Sequence, residues 1–355
     1  MASTFCIIAP HVPRSNADKK TVEVITVPDN GIGNGIDNGI GNGIGNGIDN
    51  GIGNGEVVAL SLENRQLLYR QKLQRVLNQL PPFSPILNRL LASLSSEDVR
   101  FSDLSSLIEK DTVLSGHVLR MVNSAAMARR SRINSISHAV SVLGLVRLRN
   151  FLLSISIARL WQGTKTTPPW SMAKFNLHGA AVALMSDLLA QNCLCNYPEG
   201  AFLAGLLHDY GRLLIATALP EQFNQIMALV QTEESSLVDC ERKVIGFTHP
   251  ELSAMTLKSW HLPDDIIRGV QFHHQPDAER DLIPEPNAKV LLGHIIFAAD
   301  TAISHLGFHV LPCDGPPKPS RPDAQAALQL LGFRDSAVKI LDEFDKEYDA
   351  IKSFF

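Results

Sequence analysis

From position 62 onward, apolar residues recur at three- and four-residue spacing and polar residues fill the intervals. That period lines up one apolar face on a helix of 3.6 residues per turn. Leu67, Leu68, Leu73, Val76, Leu77 and Leu80 mark the first such face, which Pro81-Pro82 ends. Residues 85–94 repeat the pattern. Ser102 is expected to cap a helix through Leu104, Leu107 and Ile108, and Asp111 to cap the next, carrying Leu114, Val118, Leu119 and Val122. Further helices are predicted over 137–143, 147–161, 174–191, 199–207, 221–232, 250–260, 263–274, 288–306 and 324–355. Thr248-His249-Pro250-Glu251 has the form of a capping box with proline in the first turn. No alternating run of useful strand length interrupts the series. The predicted class is all-α, a helical bundle.

The N-terminal part differs. Residues 30–55 repeat Asn-Gly-Ile followed by Gly or Asp, and hold 11 of the 24 glycines. Ordering such a tract costs maximal backbone entropy against a few isolated isoleucines to bury, so it reads as a flexible linker. A calcium-binding repeat would need an acid in every unit, and only Asp37 and Asp49 are there. Residues 21–27 are β-rich enough for a lone strand. Two polar, proline-containing stretches, 162–170 and 311–323, break the helical part. The expected organisation is a short segment at 1–28, a low-complexity linker at 29–56, helical modules at 57–165 and 166–310, and a Pro-rich loop with closing helices at 311–355.

Composition supplies ample core: 45% of the 355 residues are hydrophobic and 19% charged. A net charge of −4 excludes a uniformly basic nucleic-acid coat. No apolar run has membrane-spanning length, and the first residues lack the parts of a secretory signal, so a cytoplasmic chain is expected. Cys6, Cys193, Cys195, Cys240 and Cys313 are scattered and form no CxxC pair, as expected of thiols in a reducing compartment. Charge is uneven, however. Between Asp111 and Asp187 there is no acid but nine Lys or Arg. Arg120, Arg129, Arg130, Arg132, Arg147 and Arg149 are the candidate surface for an anionic ligand or partner, unless the acids of the same chain neutralise them. Trp161, Trp170 and Trp260 are expected in the core or at a module junction.

Histidines and acids of the second half offer metal chemistry. His178, His208-Asp209, His249, His273-His274 and Asp300 come from different predicted helices, as in a site built from inward-facing side chains of a bundle. Mixed imidazole and carboxylate ligation suits iron, manganese or zinc. A His-Asp pair feeds two ions when its carboxylate bridges them.

The order His, His-Asp, His, His-His, Asp resembles the HD superfamily of metal-dependent phosphohydrolases, and the extra histidines resemble its HD-GYP branch. The helices before it are similar to those of the HDOD (HD-related output domain) family. The signposts over 80–304 are Leu80-Pro81, Glu109 to Leu114 (EKDTVL), Leu119 to Ser124 (LRMVNS), Ser137 to Gly144 (SHAVSVLG), Ala201 to Leu213 (AFLAGLLHDYGRL), Trp260 to Pro263 (WHLP) and Phe272-His273-His274. The resemblance implies an HD-like core preceded by an extra helical module. It implies metal ligation by His178, His208, Asp209, His249, His273, His274 and Asp300, with one or two ions of iron, manganese or zinc, or none where the site is eroded. Asp209 and Arg212 are the candidate catalytic pair, Arg212 as a phosphate contact. Three departures weigh against HD-GYP catalysis. Arg212 stands where the active motif has lysine and cannot act as a proton donor, Gln275 replaces a carboxylate, and no Gly-Tyr-Pro follows.

HDOD domains resemble HD hydrolases in fold but are generally signalling modules. The first reading is therefore a regulatory protein of bacterial signal transduction, more regulator than enzyme, acting on a protein partner or a nucleotide-like ligand. The alternative is a metal-dependent phosphodiesterase acting on nucleotides or cyclic dinucleotides. Nucleic-acid binding ranks last, because no basic motif interleaved with aromatics is present.

Overall fold

The computed structural model describes residues 62–355 except 79–82, 93, 95–100, 125–131, 167, 234, 284–289, 312–313, 317, 330–331 and 334–335. Met1–Arg65 and Gln66–Phe355 form separate units, and the fold is that of the second. The predicted strand at 21–27, the Asn-Gly-Ile repeat, Arg129, Arg130, Cys6 and Cys313 lie outside the described residues.

Among the described residues every named element is helical, and one parallel bridge, Cys195 to Val290, is the sole extended pairing. The first helices are α1 (Leu62–Asn78), α2 (Pro85–Ala92), α3 (Phe101–Lys110), α4 (Thr112–Val122), α5 (Ile136–Leu143) and α6 (Leu145–Leu160). Asp111 caps α4 as its position predicts, its carboxylate accepting the amides of Val113 and Leu114. Asn123 ends α4 and binds both backbone groups of Ile133, donating to the carbonyl at 2.8 Å and accepting the amide at 2.8 Å. Gly144 breaks α5 from α6 with φ +79°, a conformation a β-carbon disfavours.

The second half comprises α7 (Met172–Gln191), α8 (Ala201–Leu207), α9 (Tyr210–Ala218), α10 (Pro220–Thr232), α11 (Leu237–Ile245), α12 (His249–Ser259), α13 (Asp264–Gln271), α14 (Pro276–Arg280) and α15 (Leu292–His305). After the Pro-rich loop come α16 (Arg321–Gln329) and α17 (Ala337–Ile351). Helix α7 is the axis. Its residues from His178 to Ala190 are all buried, so it has no solvent stripe and packs against α8, α15 and α17. Gly179 on α7 lies against the Leu206 carbonyl and Gly205 on α8 against Val182, Ala183 and Ser186, which brings the two backbones close. Thr248 caps α12 with both halves of the capping box formed. No single described helix is long and apolar enough to cross a membrane.

Several expectations change. Leu67 and Leu68 are exposed, at 57% and 38%, and Tyr69 is buried in their place, while Leu73 is buried as expected. Helix α3 begins at Phe101, so Ser102 lies inside it rather than capping it. Helices α9 and α11 had no counterpart in the periodicity, and the expected single helix at 324–355 is broken between α16 and α17. Trp161 and Trp170 are buried as expected, and Trp260 is half-buried against Phe83 and Tyr210. Cys193, Cys195 and Cys240 are free thiols.

Candidate metal centre

Helices α7, α8, α12, α13 and α15 converge, and each brings a ligand-type side chain from its own stretch of chain. His178 faces inward midway along α7, and His208-Asp209 occupies the break between α8 and α9. His249 opens α12, His273-His274 forms the turn after α13, and Asp300 lies on α15. Two clusters result: His178, His208 and Asp209 in one, and His249, His273 and His274 in the other.

The carboxylate of Asp209 lies between them. Its Oδ1 is 3.6 Å from His208 Nε2, 3.2 Å from His249 Nε2 and 4.0 Å from His273 Nε2. Its Oδ2 is 3.7 Å from His178 Nε2. Asp300 Oδ1 joins the first cluster, 3.4 Å from His178 Nε2 and 3.9 Å from His208 Nε2. All seven residues expected to ligate metal therefore face one pocket. His274 is the exposed member, while His208, His249 and His273 are fully buried.

Outer contacts fix which nitrogen of each ring faces inward. His178 Nδ1 donates to the Phe308 carbonyl at 2.6 Å, His208 Nδ1 to the Gly205 carbonyl at 2.7 Å, and His273 Nδ1 to the Val270 carbonyl at 2.7 Å. A carbonyl only accepts, so these rings carry their proton on Nδ1 and present an Nε2 lone pair to the pocket. His249 Nδ1 is held at 2.8 Å by the buried Glu241, which also accepts the His249 backbone amide at 2.7 Å. The lone pairs of His178 and His208 then face each other at 3.4 Å. His273 Nε2 is buried with no hydrogen-bond partner. Such an orphaned acceptor is costly unless something electropositive meets it. The donor set fits a transition metal, and carbonyl or carboxylate partners on the outer ring nitrogens are what metal-ligating histidines ordinarily have.

Electrostatics agree with this division. Burial, reinforced by neighbouring histidines, pushes His208 down to about 4 and His273 down to about 3, keeping both neutral. Burial also opposes charge on His249, but Glu241 and Asp209 override it and raise the ring to about 9. An incoming cation must displace that proton. Burial disfavours the Asp209 carboxylate, yet His208, Arg212 and His249 hold it well below the usual range. Burial and the neighbouring Asp209 charge raise Asp300.

Arg212 is itself buried. One terminal nitrogen donates to Asp209 Oδ2 at 2.9 Å and the other to both oxygens of Asp314, at 2.7 and 2.8 Å. The residue expected to meet a phosphate is thus committed to two carboxylates. Its bond to Asp209 Oδ2 holds that carboxylate in place. Gly211 explains the tightness of this corner: a β-carbon there would collide with the His249 carbonyl, so the starts of α9 and α12 touch. Ser253 ties the same corner, accepting the Gly211 amide at 2.8 Å and donating to the His208 carbonyl at 2.9 Å.

Sequence reasoning missed Glu241, Phe308 and Asp314. Glu241 stands among the charged residues Asp239, Arg242 and Lys243 of the nine-residue helix α11, with nothing in the sequence to mark it as buried, and Phe308 contributes only a backbone carbonyl. Asp314 sits in a Pro-rich stretch that reads as a connector. The basic run is brought together only in part. Arg147 pairs with Glu347, Arg120 stacks over the Phe354 ring at 4.1 Å, and Arg149 is half-buried near Asp187. Arg132 is exposed, and Arg159, from the same run, pairs with Asp111.

An uncharacterised protein of Treponema pallidum is 28% identical over 218 residues, covering 59% of this chain. The chain spans 40% of that relative's length. In fold, the chain is similar to the crystal structure of an HDOD domain protein of unknown function from Geobacter sulfurreducens (TM-score 0.61, 23% identity, 83% of this chain and 99% of that one). It is likewise similar to a Shewanella amazonensis protein named provisionally as a phosphohydrolase (TM-score 0.59, 22% identity, 80% and 97% covered). The HDOD domain profile matches residues 80–276, a stretch that includes every histidine of the pocket. Since that match takes in more than half of the sequence, the chain belongs to the HDOD domain family.

Proposed function

We propose that this protein is a regulatory HDOD module built around a metal-holding centre, and that it passes its state to a signalling partner or a nucleotide-like ligand. The observation that carries the metal reading is the pair of facing lone pairs on His178 and His208, together with the orphaned Nε2 of His273. A cation relieves both. His178, His208 and Asp300 would hold one ion and His249, His273 and His274 a second, with Asp209 shared between them. Divalent iron, manganese or zinc bound there supplies a Lewis acid for a phosphate oxygen. Regulation ranks above turnover because Arg212 is buried and its charge is already neutralised by Asp209 and Asp314.

The test is elemental analysis of the full chain purified with and without oxygen, beside a His208→Ala, His273→Ala double variant. Near-stoichiometric iron, manganese or zinc in the wild type and its loss in the variant are expected. Background metal in both would overturn the reading.

A second reading, a metal-dependent phosphohydrolase, is favoured by the complete ligand set and by the exposure of His274 at the mouth of the pocket. Metal-dependent hydrolysis of bis(p-nitrophenyl) phosphate or of cyclic dinucleotides, abolished in the double variant, would establish it in place of the first. Metal without turnover leaves the regulatory module.

A further inference from the structure

A second cavity lies away from the metal centre, where α4, α6, α7, α8 and α17 meet, and has a volume of about 450 Å³. That is within the range of small-molecule sites. Met121, Phe151, Leu184 and Phe202 supply apolar wall. The polar groups among them are unusual in being mostly acceptors. Asn150 and Asp187, 6% and 9% exposed, line the cavity from α6 and α7. Asn150 Nδ2 donates to Asp187 Oδ2 at 3.1 Å, and Gln191 Nε2 donates to the same oxygen at 2.8 Å. Both amide donors therefore converge on one carboxylate oxygen. Asn150 Oδ1 is buried with no partner at all.

Charge in the walls is unbalanced in the same sense. Asp187, Glu343 and Glu347 are carboxylates, against one guanidinium, Arg147, which already pairs with Glu347. Arg149 lies near Asp187 but outside the lining, and even with it the acids outnumber the cations. A buried carboxylate without an ion pair and a buried amide oxygen without a donor are each destabilising by themselves. What meets the carboxylate from the cavity is an occupant carrying N–H donors and positive charge at one end and apolar surface at the other.

We propose that this cavity is a binding site for a small organic cation, an amine or amidine on an apolar body, held by Asp187 and independent of the metal centre. Burial pushes the Asp187 carboxyl up to about 6, which marks a charge the protein alone compensates poorly. Asp187 sits on α7, the helix that also carries His178, so an occupant would touch the same rigid element as the metal ligands.

The probe is benzamidine, titrated calorimetrically into the full chain, with benzoate and benzyl alcohol as the anionic and neutral counterparts. Saturable one-to-one binding of benzamidine is expected, with the other two at least about tenfold weaker, as for loss of a charge-assisted hydrogen bond. Asp187→Asn should weaken benzamidine by about tenfold or more while keeping the fold. Glu343→Gln, at the exposed rim, should weaken it by up to about fivefold. Chelation of metal should leave binding unchanged. No saturable binding, equal binding of benzoate, unaltered affinity in both variants, or loss of binding on chelation would each overturn the proposal.

Discussion

Asp314 grips one terminal nitrogen of Arg212 with both carboxylate oxygens, at 2.7 and 2.8 Å, while the other nitrogen of Arg212 holds Asp209 Oδ2 at 2.9 Å. The chain of contacts runs from a proline-rich loop to the shared carboxylate of the pocket. Asp314→Ala leaves a buried guanidinium short of one partner, and breaking buried pairs this way costs roughly 3–5 kcal/mol. Urea titration should show the variant less stable than the wild type by about that amount. The variant should also lose metal at chelator concentrations the wild type withstands.

Glu241 orients His249 through both the ring and the backbone amide. Glu241→Gln keeps the shape but removes the charge that holds the ring. Metal retention after dialysis against a chelator should fall by roughly 10–100-fold, as for other outer partners of ligating histidines, with little change in far-ultraviolet circular dichroism. Unchanged retention would detach Glu241 from the centre.

Gly211 stands where α9 and α12 touch, and the atom a side chain would strike is backbone, which cannot turn aside. Gly211→Ala should therefore destabilise by more than about 3 kcal/mol, at the upper end for overpacking. Thermal unfolding followed by circular dichroism reads it directly. A variant as stable as the wild type would mean that the corner yields.

Asp187 predicts a pH effect of definite sign. Burial raises its folded-state carboxyl from 3.8 to about 6, so between those values the folded chain keeps a proton that the unfolded chain has released. Its contribution to stability is thus lost as pH rises from about 4 to 6 and stays lost above. Asp187→Asn should equal the wild type near pH 4 and exceed it near pH 7 by up to roughly 3 kcal/mol. Urea titrations at the two pH values decide it, and equal gains at both would point away from ionisation.

The helices that carry ligands were legible because ligation and burial share one signal. His178 sits in a long apolar run, and His208-Asp209 closes another, so the inward direction follows from the pattern around them. Leu67 and Leu68 show the opposite case: α1 is polar enough that two adjacent leucines mislead, and Tyr69 joins the expected Leu73 in the core. Helix α9 escaped notice because the His-Asp break that separates it from α8 is only two residues long. Glu241 and Asp314 were illegible for a different reason. Each works through a partner far along the chain or across a loop, and neither carries a local period.

Asp300, the Phe308 carbonyl and Asp314 all lie beyond residue 276, where the family profile stops, yet each touches the pocket. The homologous segment is accordingly not portable. Grafted alone into another protein it would carry the five imidazoles of the pocket, but it would leave His178 unoriented and Arg212 without its second counter-charge. Exchange between relatives has to move the tail together with the domain, and a change in the tail alone is enough to retune the centre with all its histidines kept.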